Sequence, residues 1–216
     1  MKEISTCDNE DFLYHLTNID DCADILRSNT IVPYIQLSPR TANCAACNSG
    51  ILRPDDFIHL NFCPRSLMLY YLTQGHCWSR HKIYGQEDAV HIEIKFEMMM
   101  ISLGLKCMDG FMVSDIDFEH GNRDKITRFF DAATPMSDIE STVDMSAINK
   151  RIGVFDAERY SGKGAEIMIG TTIDLTVDMV SSIVVHDAKA KCRLMKKRGV
   201  PAKYLDKVTV RPEWYF

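Results

Sequence analysis

Residues 57–72, FIHLNFCPRSLMLYYL, read as a buried strand that runs directly into a helix. Phe57 to Phe62 is apolar enough for an interior strand, and Cys63-Pro64 leads into a helix that begins near Arg65. Proline is favourable at or beside the first helical position, because its missing N–H would have no partner there and its φ is already helical. Ser66 can cap the same turn. The helix carries Leu67, Met68, Tyr70 and Tyr71 with few polar residues among them, so most of it is expected to be buried. Arg65 thus stands at a strand-to-helix junction, beside backbone N–H groups that attract anions. A permanently charged guanidinium in that place suits a diphosphate, or any ligand that needs two parallel hydrogen bonds. The alternative is structural: an arginine paired with a carboxylate at the sheet edge.

Before this stretch, Phe12 to Thr17 (FLYHLT) reads as a first strand, followed by a helix through Arg27 that Asp20 or Asp21 would cap. His15 and Thr17 are two apart, so a strand points both to the same side. They either find partners inside or bind something. Residues 31–54 show little periodicity and read as a long loop, with a short strand near Val32 to Leu37. After the stretch, residues 73–87 are polar and interleave His76, Trp78, Arg80, His81 and Tyr84, a pattern that can stack and neutralise single-stranded nucleic acid.

Ala89 to Phe96 alternates as a half-buried strand, and Phe111 to Ser114 as a short one after the turn signal Asp109-Gly110. Helices are expected over Arg123 to Ala132 and from Ser137 or Asp138 to about Lys150, the second opened by a capping box, Ser137-Asp-Ile-Glu140. Ala165 to Gly170 is an apolar strand with one carboxylate, Glu166. Val180 to Val185 and Val208 to Val210 are further strands, separated by a basic helix over about Ala188 to Lys197. Six or so strands and helices out of regular alternation predict an α+β fold with a split, partly antiparallel sheet. The chain has no dinucleotide-binding glycine motif, no phosphate-binding loop and no zinc-protease motif.

At 216 residues, with 46% hydrophobic and 25% charged content, the chain is expected to form a single soluble domain, residues 1–216. It has no apolar run long enough to span a bilayer, and the N-terminus lacks a signal segment. A cytoplasmic monomer is expected. The eight cysteines are spread through apolar contexts and read as reduced and packed. Cys44 and Cys47 have the spacing of half a zinc site, but no second close pair completes it, so no metal is expected. The net charge of −5 is uneven. Lys189, Lys191, Arg193, Lys196, Lys197, Arg198 and Lys203 form a segment without acids, leaving −12 on the rest. Such a segment suits a phosphate backbone, or is a solvated helix face.

Four pieces in order carry a family resemblance: Tyr14-His15-Leu16-Thr17 before a helix, Asn61-Phe-Cys-Pro-Arg65-Ser66-Leu-Met-Leu-Tyr70, Phe111-Met-Val-Ser-Asp115, and Ala165-Glu166-Ile-Met-Ile169. From about residue 12 to residue 185 the chain resembles the DarT-like family of DNA ADP-ribosyltransferase toxins. The resemblance implies an ADP-ribosyltransferase fold that binds NAD⁺ between two sheets. It also implies transfer of ADP-ribose to a base of single-stranded DNA, thymidine in one branch and guanosine in another, under restraint by a macrodomain-type antitoxin. It matches Arg65 and Glu166 to the family's catalytic pair. His15, Leu16 and Thr17 match its first nicotinamide- and ribose-contacting strand, with further NAD⁺ contacts at Asp24 and Val32. Residues 49–67 match the NAD⁺-binding element and residues 125–166 the loop that shapes the acceptor site. The chain departs from the family at Asp21-Cys22, where Asn-Leu is usual, and at Gly164, where Gln is common.

The chemistry fits those residues. Breaking the nicotinamide–ribose bond develops positive charge on the sugar, and an ionised carboxylate beside it, Glu166, stabilises that charge as it grows. His15, Thr17 and Arg65 would hold the dinucleotide in line with the acceptor. Arg65 keeps its proton and is expected to orient the acceptor rather than deprotonate it. His59 reads as core-packed. The acceptor base must be unstacked, and Trp78, His81, Tyr84, Lys196, Lys197 and Arg198 are the expected single-strand surface. Two other readings remain at this point: an RNA or protein acceptor, and a non-catalytic nucleic-acid-binding module.

Overall fold

Strand β1 (Phe12–Asn18) is the hinge of the main sheet, because it pairs fully on one side and at a single position on the other. The structure is a computed structural model and describes residues 12–33, 36, 56–66, 69–70, 85–104, 111–114, 127–131, 133–149 and 165–216. Besides β1, its strands are β2 (Thr30–Ile31), β3 (Ile58–Asn61), β4 (Ala89–Lys95), β5 (Phe111–Ser114), β6 (Thr127–Phe130), β7 (Glu166–Ile169), β8 (Ile173–Asp174), β9 (Val180–Val185) and β10 (Val208–Val210). Eight of them form one sheet in the order β10-β9-β4-β1-β3-β7-β5-β6, antiparallel except for β9 with β10, while β2 and β8 pair separately. Strand β1 runs beside β4 from Phe12↔Lys95 to Asn18↔Ala89, yet meets β3 only at Tyr14↔Asn61. The expected α+β fold with a split sheet is present. The described strands exceed the six expected, because β2 and β8 are only two residues long and β6 lies where a helix was expected.

The helices are α1 (Ile19–Ser28), α2 (Phe96–Gly104), α3 (Met136–Glu140), α4 (Met145–Asn149), α5 (Ala188–Met195) and α6 (Ala202–Leu205). Ile19, Cys22, Ala23 and Leu26 of α1 and Ala190 and Leu194 of α5 enter one core with Leu13, Leu60, Ile92, Ile167 and Ile183. These helices therefore cover one face of the sheet. On the other face, Tyr14, Ala89 and Val184 pack beneath Leu69, Trp214 and Tyr215, with Leu16 and Phe216 alongside. Being covered from both sides, β4 is buried along all but its last residue rather than half-buried as its alternation suggested.

Several local expectations are corrected. Asn18 caps α1, rather than Asp20 or Asp21, by accepting from the Asp21 N–H at 2.8 Å. The helix is thus entered three residues before the Asp21-Cys22 pair. Residues 127–130 are β6 and not helix: Phe130 stacks on Phe111 with ring centroids 5.8 Å apart, while Phe129 points out and is 70% exposed. That alternation and the aromatic content favour a strand. The capping box at Ser137 does not form; α3 starts at Met136 with Pro135 before it, and a turn separates α3 from α4. Val32 and Pro33 are not strand, because β2 ends at Ile31. Cys22 is free and buried, Cys63 is buried, and Cys192 is free and exposed. Cys44 and Cys47 lie outside the described residues.

Candidate active site

Glu166 lies in a row of polar residues that crosses six strands. Ser182, Glu93, Tyr14, Asn61, Glu166 and Ser114 are successive register partners on β9, β4, β1, β3, β7 and β5. Directly paired residues share a face, so the row lies on the side opposite the helices. Ser182, Glu93, Tyr14, Asn61 and Glu166 are all buried. Each must find a partner, since a buried polar group without one costs free energy. Ser182 donates its hydroxyl proton to Glu93 at 2.7 Å. Glu166, 2% exposed, has the His59 Nδ1 at 2.8 Å from its Oε2.

Arg65 comes to the same face. The chain bends over residues 62–65 after β3, and Ser66 caps the turn that follows: its hydroxyl accepts from the Leu69 N–H at 3.2 Å and its carbonyl from the Tyr70 N–H at 3.2 Å. The capping role expected of Ser66 holds. The buried Arg65 guanidinium lies 4.7 Å from the centroid of the Phe216 ring, and Phe216 packs with Tyr14 and Leu16 on the face that carries Glu166. Arg65 and Glu166 are thus brought to one side of the sheet by β3 and β7, which pair directly.

The split sits beside them. Past Tyr14↔Asn61 the ladder between β1 and β3 ends, and the His15 Nδ1 lies 3.2 Å from the His59 carbonyl oxygen. A carbonyl only accepts, so the His15 Nδ1 carries the proton and, in the neutral ring, Nε2 is the acceptor. Thr17 is buried and shares the side of β1 that carries His15; their register partners Val90 and Ile92 belong to the helix-side core, so both lie on the face opposite Glu166.

The model of the family described as "ssDNA thymidine ADP-ribosyltransferase, DarT" matches residues 14–216. The chain belongs to the DarT family. A DNA ADP-ribosyl transferase of Thermus sp. (strain 2.9) is 23% identical over 219 residues, covering 94% of this chain and 95% of the relative. The structure of Thermus sp. 2.9 DarT in complex with NAD⁺ is similar at a TM-score of 0.65 and 20% identity, with all of both chains covered. Its complex with ADP-ribosylated single-stranded DNA matches at 0.65 and 21%, covering 96% of this chain and 97% of that one. Thermosipho africanus DarTG in complex with ADP-ribose matches at 0.59 and 20%, covering 95% of this chain and 51% of that one.

Within this DarT chain the other expected site residues are dispersed. Leu16 is half-buried on the Glu166 face. Asp24 is on the exposed side of α1, ion-paired with Arg27, and Val32 follows β2. The basic segment sits on the helix-covered face, opposite Glu166, where two of its seven cations are ion-paired among the described residues. Lys197 pairs with Asp20, Arg193 pairs with Asp88, and the Arg198 carbonyl accepts from the Arg27 Nε–H at 2.7 Å. Trp78, His81 and Tyr84 lie outside the described residues, as does Gly164. Among the described residues no group of three or more His, Cys, Asp or Glu could hold a metal ion, and no helix is long and apolar enough to cross a membrane.

Sequence reasoning set His59 aside as core-packed and did not single out Asn61 or Glu93. The signal in the sequence was a polar residue inside an apolar strand; Asn61 and Glu93 also stand at the register positions of Glu166 and Tyr14, which only the pairing reveals, whereas His59 stands opposite Met168.

Proposed function

We propose that this DarT-family chain transfers ADP-ribose from NAD⁺ to a base of single-stranded DNA, with Arg65 and Glu166 as its catalytic pair. The observation that carries the reading is their common side of the split sheet, Glu166 buried on β7 and Arg65 buried at the bend after β3. The donor set suits the dinucleotide. Arg65 is a guanidinium beside a capped turn, able to meet a diphosphate with paired hydrogen bonds. His15 and Thr17 lie on the other face of β1, and the His15 ring meets the His59 carbonyl at the split. Glu166 opposes the positive charge that develops on the ribose as nicotinamide leaves, which favours the transition state over the bound substrate.

The wider role we infer is that of the toxin in a toxin–antitoxin pair in the cytoplasm. It is supported by the likeness to Thermosipho DarTG, a protein with a further half beyond the part matched. A macrodomain-type antitoxin is the partner inferred.

The test is incubation with labelled NAD⁺ and a panel of oligonucleotides, RNA and whole-cell protein. Label on single-stranded DNA is expected, with Glu166→Gln and Arg65→Lys each lowering it by about 100-fold or more. Label only on RNA or polypeptide would select another acceptor, and no nicotinamide release from wild type would remove the enzymatic reading.

A further inference from the structure

We propose that His59 is the positioning residue of the Glu166 carboxylate. The inference rests on the reading of Glu166 given above and concerns what holds that group in place.

A carboxyl group that is 2% exposed on a central strand needs hydrogen-bond partners, because removing it from water is costly. His59 supplies a compensating donor. In the ionised form that its proposed role requires, the carboxylate has only lone pairs to offer, and the Nδ1 at 2.8 Å from Oε2 then carries the proton and donates it. The distance is that of a charge-assisted hydrogen bond. The bond to Oε2 fixes the plane in which the carboxylate is presented.

His59 is itself held on its backbone side, since its carbonyl accepts from the His15 Nδ1–H at 3.2 Å. One residue therefore links the two halves of the split sheet. Its main chain takes a bond from β1, and its side chain gives one to β7. Strand pairing explains how position 59 does this. His59 and Asn61 share a face of β3, with Asn61 directly opposite Glu166 and His59 opposite Met168. A ring at position 59 reaches Glu166 along the diagonal, a separation within reach of an aromatic side chain. A movement of His15 would then be felt at Glu166 through a single residue.

The experiment compares His59→Ala with His59→Asn, whose amide nitrogen stands where Nδ1 stands and can donate the same bond. In NAD⁺ turnover followed by nicotinamide release, His59→Ala is expected to lower kcat by about 10- to 100-fold while KM for NAD⁺ stays within about threefold. His59→Asn is expected to recover most of the loss. An unchanged kcat in His59→Ala overturns the proposal. So does an Asn variant no better than the Ala variant when both melt at the wild-type temperature. Nitrogen-15 NMR of the His59 ring reads the same bond without activity. Nδ1 is expected to be protonated in wild type, moving toward the Nε2–H form in Glu166→Ala. An unprotonated Nδ1 in wild type also overturns it. If wild type releases no nicotinamide, the functional reading fails while the NMR arm still decides the bond.

Discussion

Arg65 rests on Phe216, with the guanidinium carbon 4.7 Å from the ring centroid. The ring is fixed in turn by an edge contact with Tyr70 at 5.4 Å and by two bonds to Gln86, whose Oε1 accepts from the Phe216 N–H and whose Nε2 donates to the Phe216 carbonyl. Phe216 is therefore a platform that orients the arginine proposed to meet NAD⁺. A desolvated cation–π contact is worth roughly 0.5–2 kcal/mol. Phe216→Leu keeps apolar bulk and removes the ring face. It is expected to raise KM for NAD⁺ by about 3- to 30-fold with little change in melting temperature, as steady-state kinetics and calorimetry can measure.

The basic helix α5 carries a different expectation. It lies across the sheet from Glu166, and Lys197 is already engaged by Asp20. Exposed ion pairs contribute at most about 1 kcal/mol. Replacing Lys196, Lys197 and Arg198 together with alanine should leave labelling of a short oligonucleotide within about twofold of wild type. It should weaken labelling of long single strands only at low salt, where a distant patch can still attract phosphates. Titrating salt with oligonucleotides of two lengths measures both.

How much of this was legible in the sequence depended on whether local pattern or register decided the outcome. Phe111 to Ser114, Val180 to Val185 and the strand around Glu166 appear within a residue or two of expectation, because apolar β-branched runs have few alternatives. Arg65 and Glu166 were singled out through motif order. His59 was not, because its meaning lies in pairing across β3 and β7, and a strand read alone does not reveal its neighbour. Residues 127–130 misled for a related reason. Their two phenylalanines favour a strand, but the partner that makes them one, β5 with the Phe111 ring against Phe130, is not next to them in the sequence.

Asn18 was missed as a cap because two aspartates follow it, yet it serves both ends of one small ring of bonds. Its Oδ1 accepts from the Asp21 N–H at 2.8 Å, and its Nδ2 donates to the Asp21 Oδ2 at 2.7 Å. Removing a cap of this type costs about 1 kcal/mol, and up to about 2. Asn18→Ala should lower the melting temperature by several degrees in a domain of this size. Asn18→Ser, which keeps an accepting oxygen, should recover most of that. Because α1 packs over β1, the alanine variant should also show faster amide exchange in α1 than in β9.

His91 gives the sharpest pH expectation. It is buried on β4 between the rings of Trp214 and Tyr215, at centroid distances of 6.0 and 5.3 Å, and neither ring nitrogen has a hydrogen-bond partner among the described residues. Burial pushes its pKa down from 6.5 to about 3, and the nearby His15 adds in the same direction. The unfolded chain therefore binds a proton below 6.5 that the folded chain refuses, so the unfolded state gains as the pH falls. The contribution is complete above pH 6.5, is lost progressively below it, and levels off near 3. At pH 5 the loss from this one group should be about 2 kcal/mol. His91→Phe, which keeps a ring among rings and cannot be protonated, should flatten the fall in stability between pH 7 and pH 5 that urea unfolding records for wild type. Since Trp214 and Tyr215 belong to the same cluster as Phe216, acid should also loosen the platform beneath Arg65. KM for NAD⁺ should then rise toward pH 5 in wild type and rise less in His91→Phe. Parallel curves for the two proteins in both measurements would mean that His91 is protonated without opening the cluster.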